Sequence, residues 1–501
     1  MAPELTGRRS LRLRRTASAV SGVTAVVVAV ALAGFIPAAI RAGAEARPAV
    51  SVTTGSQAAQ LPSPAVDAAA GWQAAQLPVP AGGFSDGAGY AGPIACPAVG
   101  GCVVLGEYST PTGADEDLIA TEKSGTWTAV RAPLPAGGTQ ATNLGPYTLR
   151  CTGVGDCLGT SLYQSPTSVA ADVVEEVGGV WSAVAMPVPS NLRTGAFPTV
   201  SALACPLRGA CVVVGTYETT SGLTEGFVVT QEGGQFVAAQ APTPGANRGS
   251  ILAGVACLTT TACVAVGSYV TTSNVEQGLF VNDDAGKLTA ATPPLPGNAA
   301  SNPRAALQAV SCGSSTLCVA VGTYENPSGD HLGFIDTDSS SKWTAAKMPL
   351  PSGASATSPS PAVYGLVCKG GDYCLGVGGY TSSAGKGEGL ALVQRAGRWS
   401  ASMMPGTDNT NVVVRAVSCV SETSCAAAGH YQSKAGQVGY LMTLSGTTLS
   451  GTTSPLPSNA NASPGVDLGF VACPWIATCA VSGTYGHSGS PPIQLPFVVS
   501  D

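Results

Sequence analysis

Short apolar runs separated by polar, glycine-containing turns recur from about residue 71 to the end of the chain, and none shows the spacing of an amphipathic helix. The stretches Cys211-Val-Val-Val-Gly-Thr-Tyr217 and Cys318-Val-Ala-Val-Gly-Thr-Tyr324 are rich in β-branched residues and too short for independent helices. They read as buried strands, with the glycine placed where a neighbouring backbone or side chain comes close. Each is preceded by another apolar stretch, such as Val200 to Ala204 or Leu307 to Ser311, which predicts a hairpin. A third run follows a variable Ser/Thr/Gly loop, as in Gly226 to Thr230 and Gly389 to Val393. A fourth opens at Trp72, Trp127, Trp181, Phe236, Leu288, Trp343, Trp399 and Leu449, residues expected to wedge between neighbouring units. Six residues beyond each of these stands a proline, from Pro78 to Pro455, which cannot donate to a ladder and so ends the strand.

Cysteine spacing fixes the period. The sixteen cysteines form eight pairs with five intervening residues: Cys96 with Cys102, Cys151 with Cys157, Cys205 with Cys211, Cys257 with Cys263, Cys312 with Cys318, Cys368 with Cys374, Cys419 with Cys425, and Cys473 with Cys479. Successive pairs lie 51 to 56 residues apart, the mark of a repeat architecture. The second cysteine is followed six residues later by tyrosine in every copy, and four residues later by glycine in all but one, where Ser161 stands instead. Each pair brackets the turn of the first hairpin, and an even count with none left over predicts disulfides. Zinc ligation is the rival reading, but it expects closer spacing or further ligands, and the three histidines do not follow the repeat. No metal site is expected.

Four short strands per unit and a period near 54 residues predict an all-β, eight-bladed β-propeller of four-stranded blades. Residues 71 to 80 contain only the fourth-strand pattern, whereas the eighth cysteine pair is followed by Tyr485 and a last run, Leu495 to Ser500, with no fourth strand after it. The N-terminal fourth strand and the C-terminal three strands therefore complete one composite blade beside seven whole ones, leaving no open edge. Residues 71–501 form the propeller on this reading.

The segment before it has a different character. Arg8, Arg9, Arg12, Arg14 and Arg15 precede a mainly apolar run from Ala17 to Ile40, and small residues follow at Ala42, Gly43 and Ala44. Residues 1–46 read as a signal peptide or, since the run approaches the length of a membrane span, as a transmembrane helix anchoring the protein to a membrane. Residues 47–70, rich in Ala, Ser, Pro and Thr, read as a flexible linker. The protein is expected to be secreted or held at the cell surface. Without the leader the net charge falls from −6 to about −10, a sign that repels phosphate backbones and argues against a nucleic-acid partner.

The pattern Val-Ser-Cys-x5-Cys-Val-Ala-Val-Gly-x-Tyr followed by Trp-Thr-x4-Pro resembles exported, disulfide-containing β-propeller repeat proteins of high-GC Gram-positive bacteria. These are distantly similar to sialidase-like and photosystem-assembly propellers. The resemblance implies the fold and little about activity. Sialidase-type chemistry needs an arginine cluster, and Arg150, Arg208, Arg304 and Arg415 fall at different positions of the repeat. Glu107, Glu218 and Glu325 flank the repeated tyrosine and are candidate carboxylates for glycoside hydrolysis, which needs acids paired at defined separations. The charges Asp115-Glu116-Asp117, Glu175-Glu176, Glu225, Glu276, Asp330-His331 and Glu388 are expected to make the face that carries the loop after the second strand acidic. His331, His430 and His487 are expected to be isolated. No Walker, dinucleotide or HExxH signature is present, so no cofactor and no catalytic residue is nominated. The expected function is an exported binding or structural propeller whose partner is an extracellular glycan or protein; the alternative is an extracellular glycoside hydrolase or lyase.

Overall fold

A computed structural model describes residues 71–501 apart from 84–88, 142–146, 315–316, 340–341, 406–409, 435, 475–477 and 488–492. Eight antiparallel sheets, or blades, follow one another along the chain: 89–131, 140–185, 199–240, 247–291, 306–347, 362–403, 410–453, and a last one built from 467–500 together with 73–76. Each inner strand packs against the inner strands of its two neighbours, and Gly89–Ala98 of blade 1 packs against Asp467–Ala472 of blade 8, closing the ring. In blade 8 the strand Gln73–Gln76 lies antiparallel to Gln494–Ser500, Gln73 opposite Ser500 and Gln76 opposite Phe497. The fourth strand from the N-terminus and the three from the C-terminus thus share a sheet, as the split repeat predicts.

The core is a set of seams between blades. Eight apolar clusters are found among the described residues, one per seam. The residue that opens each fourth strand, from Trp72 and Trp127 to Leu449, packs into one of them. The wedge reading of these aromatics holds. Just before the proline, the backbone N–H of Leu77, Ala132, Met186, Ala241, Met348, Met404 or Ser454 makes the last bond to the third strand, and the proline then ends the ladder.

The repeated glycine has a steric cause. In seven blades the inner strand carries a bulge opposite this position, for example between Leu252 and Gly254 or Leu307 and Ala309. The bulge pushes a carbonyl oxygen into the space a side chain would take. A Cβ on Gly267 would lie 1.9 Å from the Ile251 oxygen, and one on Gly378 1.8 Å from that of Ala362. Blade 2 is the exception. Its inner strand is described as two pieces, Gln140–Ala141 and Thr148–Gly153, and serine stands at position 161.

Each cysteine pair forms a disulfide across the first hairpin turn. Cys96 is bonded to Cys102, Cys151 to Cys157, Cys205 to Cys211, Cys257 to Cys263, Cys312 to Cys318, Cys368 to Cys374, Cys419 to Cys425, and Cys473 to Cys479. The two halves of a clasp differ in surroundings. Cys102, Cys157, Cys263, Cys374, Cys425 and Cys479, like Cys211 and Cys318, are buried, because they begin the second strand and point into the core. Six of the eight first cysteines lie nearer the surface; Cys368 and Cys419 are buried too. The bridges are therefore parts of the packing, and none of these sulfurs is left as a free thiol. All the clasped turns lie on one face of the ring, together with the turns between third and outer strands; the second-to-third loops and the crossings between blades lie on the other. A disulfide-rich propeller is consistent with a location outside the cytoplasm. The expectation of a transmembrane helix is corrected: among the described residues no helix is long and apolar enough to cross a membrane. The readings of 1–46 as a leader and 47–70 as a linker fall outside the described residues.

Candidate functional site

The inner strands of blades 1, 2, 3, 7 and 8 enclose a small space. Inner-strand residues including Ile94, Leu149, Leu203 and Phe470 leave an internal space of about 20 Å³, no more than a water or two needs. Arg150 lines it, and burial lowers this guanidinium to about 10. Nothing of substrate size enters there.

The loop face is open instead. Between blades 4 and 5 lies a trench of about 680 Å³, and a neighbouring cleft of about 380 Å³ between blades 3 and 4 shares Val270 and Glu276 with it. Local turn chemistry shapes the walls. Asn326 accepts from the backbone N–H groups of Ser328 and Asp330 and donates to the Asp330 carboxylate, which folds the loop at one rim. Asn274 and Arg304 sit in the left-handed region, at φ 62° and 42°, turning the chain at the other walls. Arg304 Nη1 donates to Glu325 Oε1 at 3.3 Å, and His331 Nε2 lies 3.2 Å from the same oxygen. Ser268 Oγ donates to Glu276 at 3.4 Å. Beneath the cleft, Glu225 is buried and receives Ser250 Oγ at 2.5 Å; burial raises its carboxyl and the serine bond lowers it. Asn274, Ser301, Asn302 and Arg248 have no side-chain partner among the described residues, so the trench offers amide, hydroxyl and guanidinium donors to whatever enters. Such a lining recognises hydroxyl-rich or amide-rich ligands rather than apolar ones.

The residues singled out by sequence are dispersed. The four arginines do not form a cluster on the axis: Arg208 pairs with Asp156, Arg304 with Glu325, and Arg415 grips both oxygens of Asp467 at 2.9 Å. Of the candidate acids, Glu218 pairs with Arg193 and Glu325 with Arg304, each in its own blade. Glu107 stands directly across the ladder from Asp117. The eight repeated tyrosines are buried rather than displayed, and Tyr217, Tyr324 and Tyr485 donate to Asn191, Asn298 and Asn459 of the crossings, which makes them ties between strand and loop. Two expectations are corrected. Glu175 and Glu176 lie at the end of a third strand near the disulfide face, because the apolar start of that strand carries them across the blade. Histidines 331 and 430 are not isolated: His430 Nδ1 lies 3.0 Å from Asp467 Oδ1, and with Arg415 this carboxylate is held below its ordinary range against the opposing effect of burial. Among the described residues no group of three acid, histidine or cysteine side chains is placed to hold a metal ion.

Sequence reasoning missed the trench amides, because a lone asparagine in a turn-rich loop carries no signal of its own. It also missed two buried acids. Asp172 occupies the third-strand position filled by Leu118, Phe227, Leu279, Phe334, Leu390, Tyr440 and Phe497 in the other blades. Asp336 occupies one filled by residues such as Val229, Val281 and Leu392. Alignment of third strands by ladder position exposes both.

No protein-family model matches the chain, and no curated protein sequence matches it. Among solved structures it is similar to the BP39L lectin from Burkholderia pseudomallei, at 13% identity over 74% of this chain and 99% of that one, with a TM-score of 0.42. It is similar to YCF48 bound to D1 peptide at 12% identity over 75% of this chain and 94% of that one, TM-score 0.37. Trypanosoma rangeli sialidase is similar at 10% identity over 76% of this chain and 56% of that one, TM-score 0.34. At these identities the likeness concerns the propeller fold.

Proposed function

We propose that the protein is a binding propeller that works outside the cytoplasm and takes a glycan of the cell envelope in the trench between blades 4 and 5. The reading treats residues 1–46 as an export signal and 47–70 as a tether, with 71–501 as the working domain. The observation that carries it is the trench: a space of about 680 Å³ lined by Asn274, Ser301, Asn302, Arg304 and Glu325, against about 20 Å³ in the space enclosed by inner strands. Sugars present dense hydroxyls, and a wall of amide, carboxylate and guanidinium groups on a rigid scaffold meets them without a catalytic constellation. The neighbouring cleft, with Arg248 and Tyr269, extends the surface along the same face and suits a ligand of more than one residue.

The test is calorimetric titration of the mature propeller with purified envelope polysaccharide fragments, alongside Asn302→Ala and Arg304→Ala. Saturable binding that each substitution weakens about tenfold or more, with unfolding temperature unchanged, supports the trench. Binding that both variants retain in full refutes it, and so does absence of binding across the fragments.

A further inference from the structure

The seam between blades 1 and 2 departs from the other seven at three positions that meet. Asp117 stands where blades 3 to 7 have Gly226, Gly278, Gly333, Gly389 and Gly439, the residue opposite the one preceding the repeated tyrosine. Those glycines are compelled: a Cβ on Gly226 would meet Leu252 of the next inner strand at 3.0 Å, and one on Gly389 would meet Val412 at 2.9 Å. Beside it the described inner strand of blade 2 begins at Thr148, and the Asp117 side chain is buried in the seam. Ser161 replaces the notch glycine, and Asp172, opposite it, replaces a large apolar residue.

All three are enclosed. Asp117 is 6% exposed, Ser161 2% and Asp172 1%. Ser161 Oγ donates to Asp117 Oδ2, while Asp117 Oδ1 and Asp172 Oδ1 have no partner among the described residues. Among the described residues no cationic side chain acts on either carboxyl, and Asp172 is met only by backbone N–H groups. The charged and titratable groups around the pair are Glu107 from the second strand of blade 1, Glu116 with its partner Arg131, and Tyr147 and Tyr163 of blade 2. Two carboxylates that neither reach water nor meet a counter-ion are unstable as anions. With both acids shut away from substrate, direct catalysis is also excluded. What such a pair binds is a proton.

We propose that the seam of blades 1 and 2 is a proton-binding latch, closed while Asp117 and Asp172 are protonated and loosened as they ionise. Burial raises Asp172 to about 7, and burial together with the fields of Asp172, Glu107 and Glu116 holds Asp117 well above the carboxylate range despite the serine bond. The sign follows. Carboxyls that keep protons in the folded seam above their unfolded values make it firmest in acid, and the contribution is lost as pH rises through about 7. The segment that gains mobility is the loop 110–114 of blade 1, which joins the strands carrying Glu107 and Asp117 on the binding face.

The experiment is infrared titration of the whole propeller in heavy water, paired with hydrogen exchange at pH 6 and 8.5 corrected for intrinsic rates. The wild type is expected to show a protonated carboxyl band at pH 6 that fades near pH 7, and exchange in Gly101–Ser109 and Asp156–Gln164 that rises at least tenfold at the higher pH. Asp172→Leu, which places at this position an apolar residue like those of the other blades, is expected to lose the component that titrates near pH 7 and most of the exchange difference, while the bands of Asp117 and Asp336 remain; Asp172→Asn provides a second folded control. Absence of the band at pH 6 overturns the latch. So does an exchange difference in Asp172→Leu equal to the wild type's.

Discussion

Replacing Asp336 by valine is expected to stabilise the propeller, by an amount that grows with pH. Asp336 is completely buried in the third strand of blade 5, opposite Ala320 and Ala345, and neither carboxyl oxygen has a partner among the described residues. Its counterparts in blades 3 and 4 are Val229 and Val281, so valine fits the ladder and the seam. Burial raises the acid from 3.8 to about 8. Because the folded state keeps the proton longer than the unfolded chain does, stability is fully present below pH 4 and falls until the folded carboxyl ionises near pH 8. A shift of this size corresponds to roughly 6 kcal/mol at its limit, at about 1.4 kcal/mol per unit of pKa. Removing an unpaired neutral carboxyl adds about 1–3 kcal/mol at any pH. For a cooperative unit of this length each kcal/mol moves the midpoint by about 1 °C. Calorimetric melting of the oxidised protein is therefore expected to place Asp336→Val about 2 °C above wild type at pH 4.5 and about 6–8 °C above it at pH 8.5. The comparison with wild type at each pH cancels the titration of Asp117 and Asp172. Parallel curves across that range, or a variant that melts lower at pH 8.5, refute the account of the site.

Two further outcomes follow from the fold. Gly267→Ala drives a methyl group onto the Ile251 carbonyl oxygen at 1.9 Å and is expected to cost about 2–4 kcal/mol in urea unfolding; a cost below 0.5 kcal/mol denies the steric account of the repeated glycine. Deleting residues 71–77 exposes the ladder edge of Gln494–Ser500, and the expected result is association on gel filtration that an added peptide spanning residues 71–80 reverses, whereas a monomer of unchanged melting temperature contradicts the shared blade.

The architecture was readable because its determinants repeat. Cysteine, glycine, tyrosine and proline return at fixed offsets; the clasp, the bulge and the end of the ladder recur in nearly every blade, and the tyrosine ties its strand to the asparagine of the crossing in blades 3, 5 and 8. The candidate sites were less readable because they are exceptions to the repeat. Ser161 was visible as an exception, yet next to seven glycines it passed for a near equivalent; only the bond to Asp117 gives it meaning. Asp172 lies in a third strand whose register depends on the length of the preceding loop, so counting from the cysteines does not align it with Phe227 or Leu390. Arg415 and Asp467 are 52 residues apart and meet only because blades 7 and 8 adjoin. The acids after the repeated tyrosines were assigned to one face without separating those in the loop from those further along the third strand; that strand crosses the blade from one face to the other and delivers Glu175 and Glu176 to the far side.

The strand Gln73–Gln76 has its partner in Gln494–Ser500, and Gln76 also receives a hydrogen bond from Asn459, 383 residues away. During synthesis the earliest strand of the propeller must therefore wait, solvated and single, until nearly the whole chain has been made. Seven blades can condense from local hairpins in the meantime, each clasped as it forms. The eighth is the most non-local contact in the molecule and belongs to the slow end of assembly, so a chain interrupted late in its production has a nearly complete ring and an unsatisfied gap.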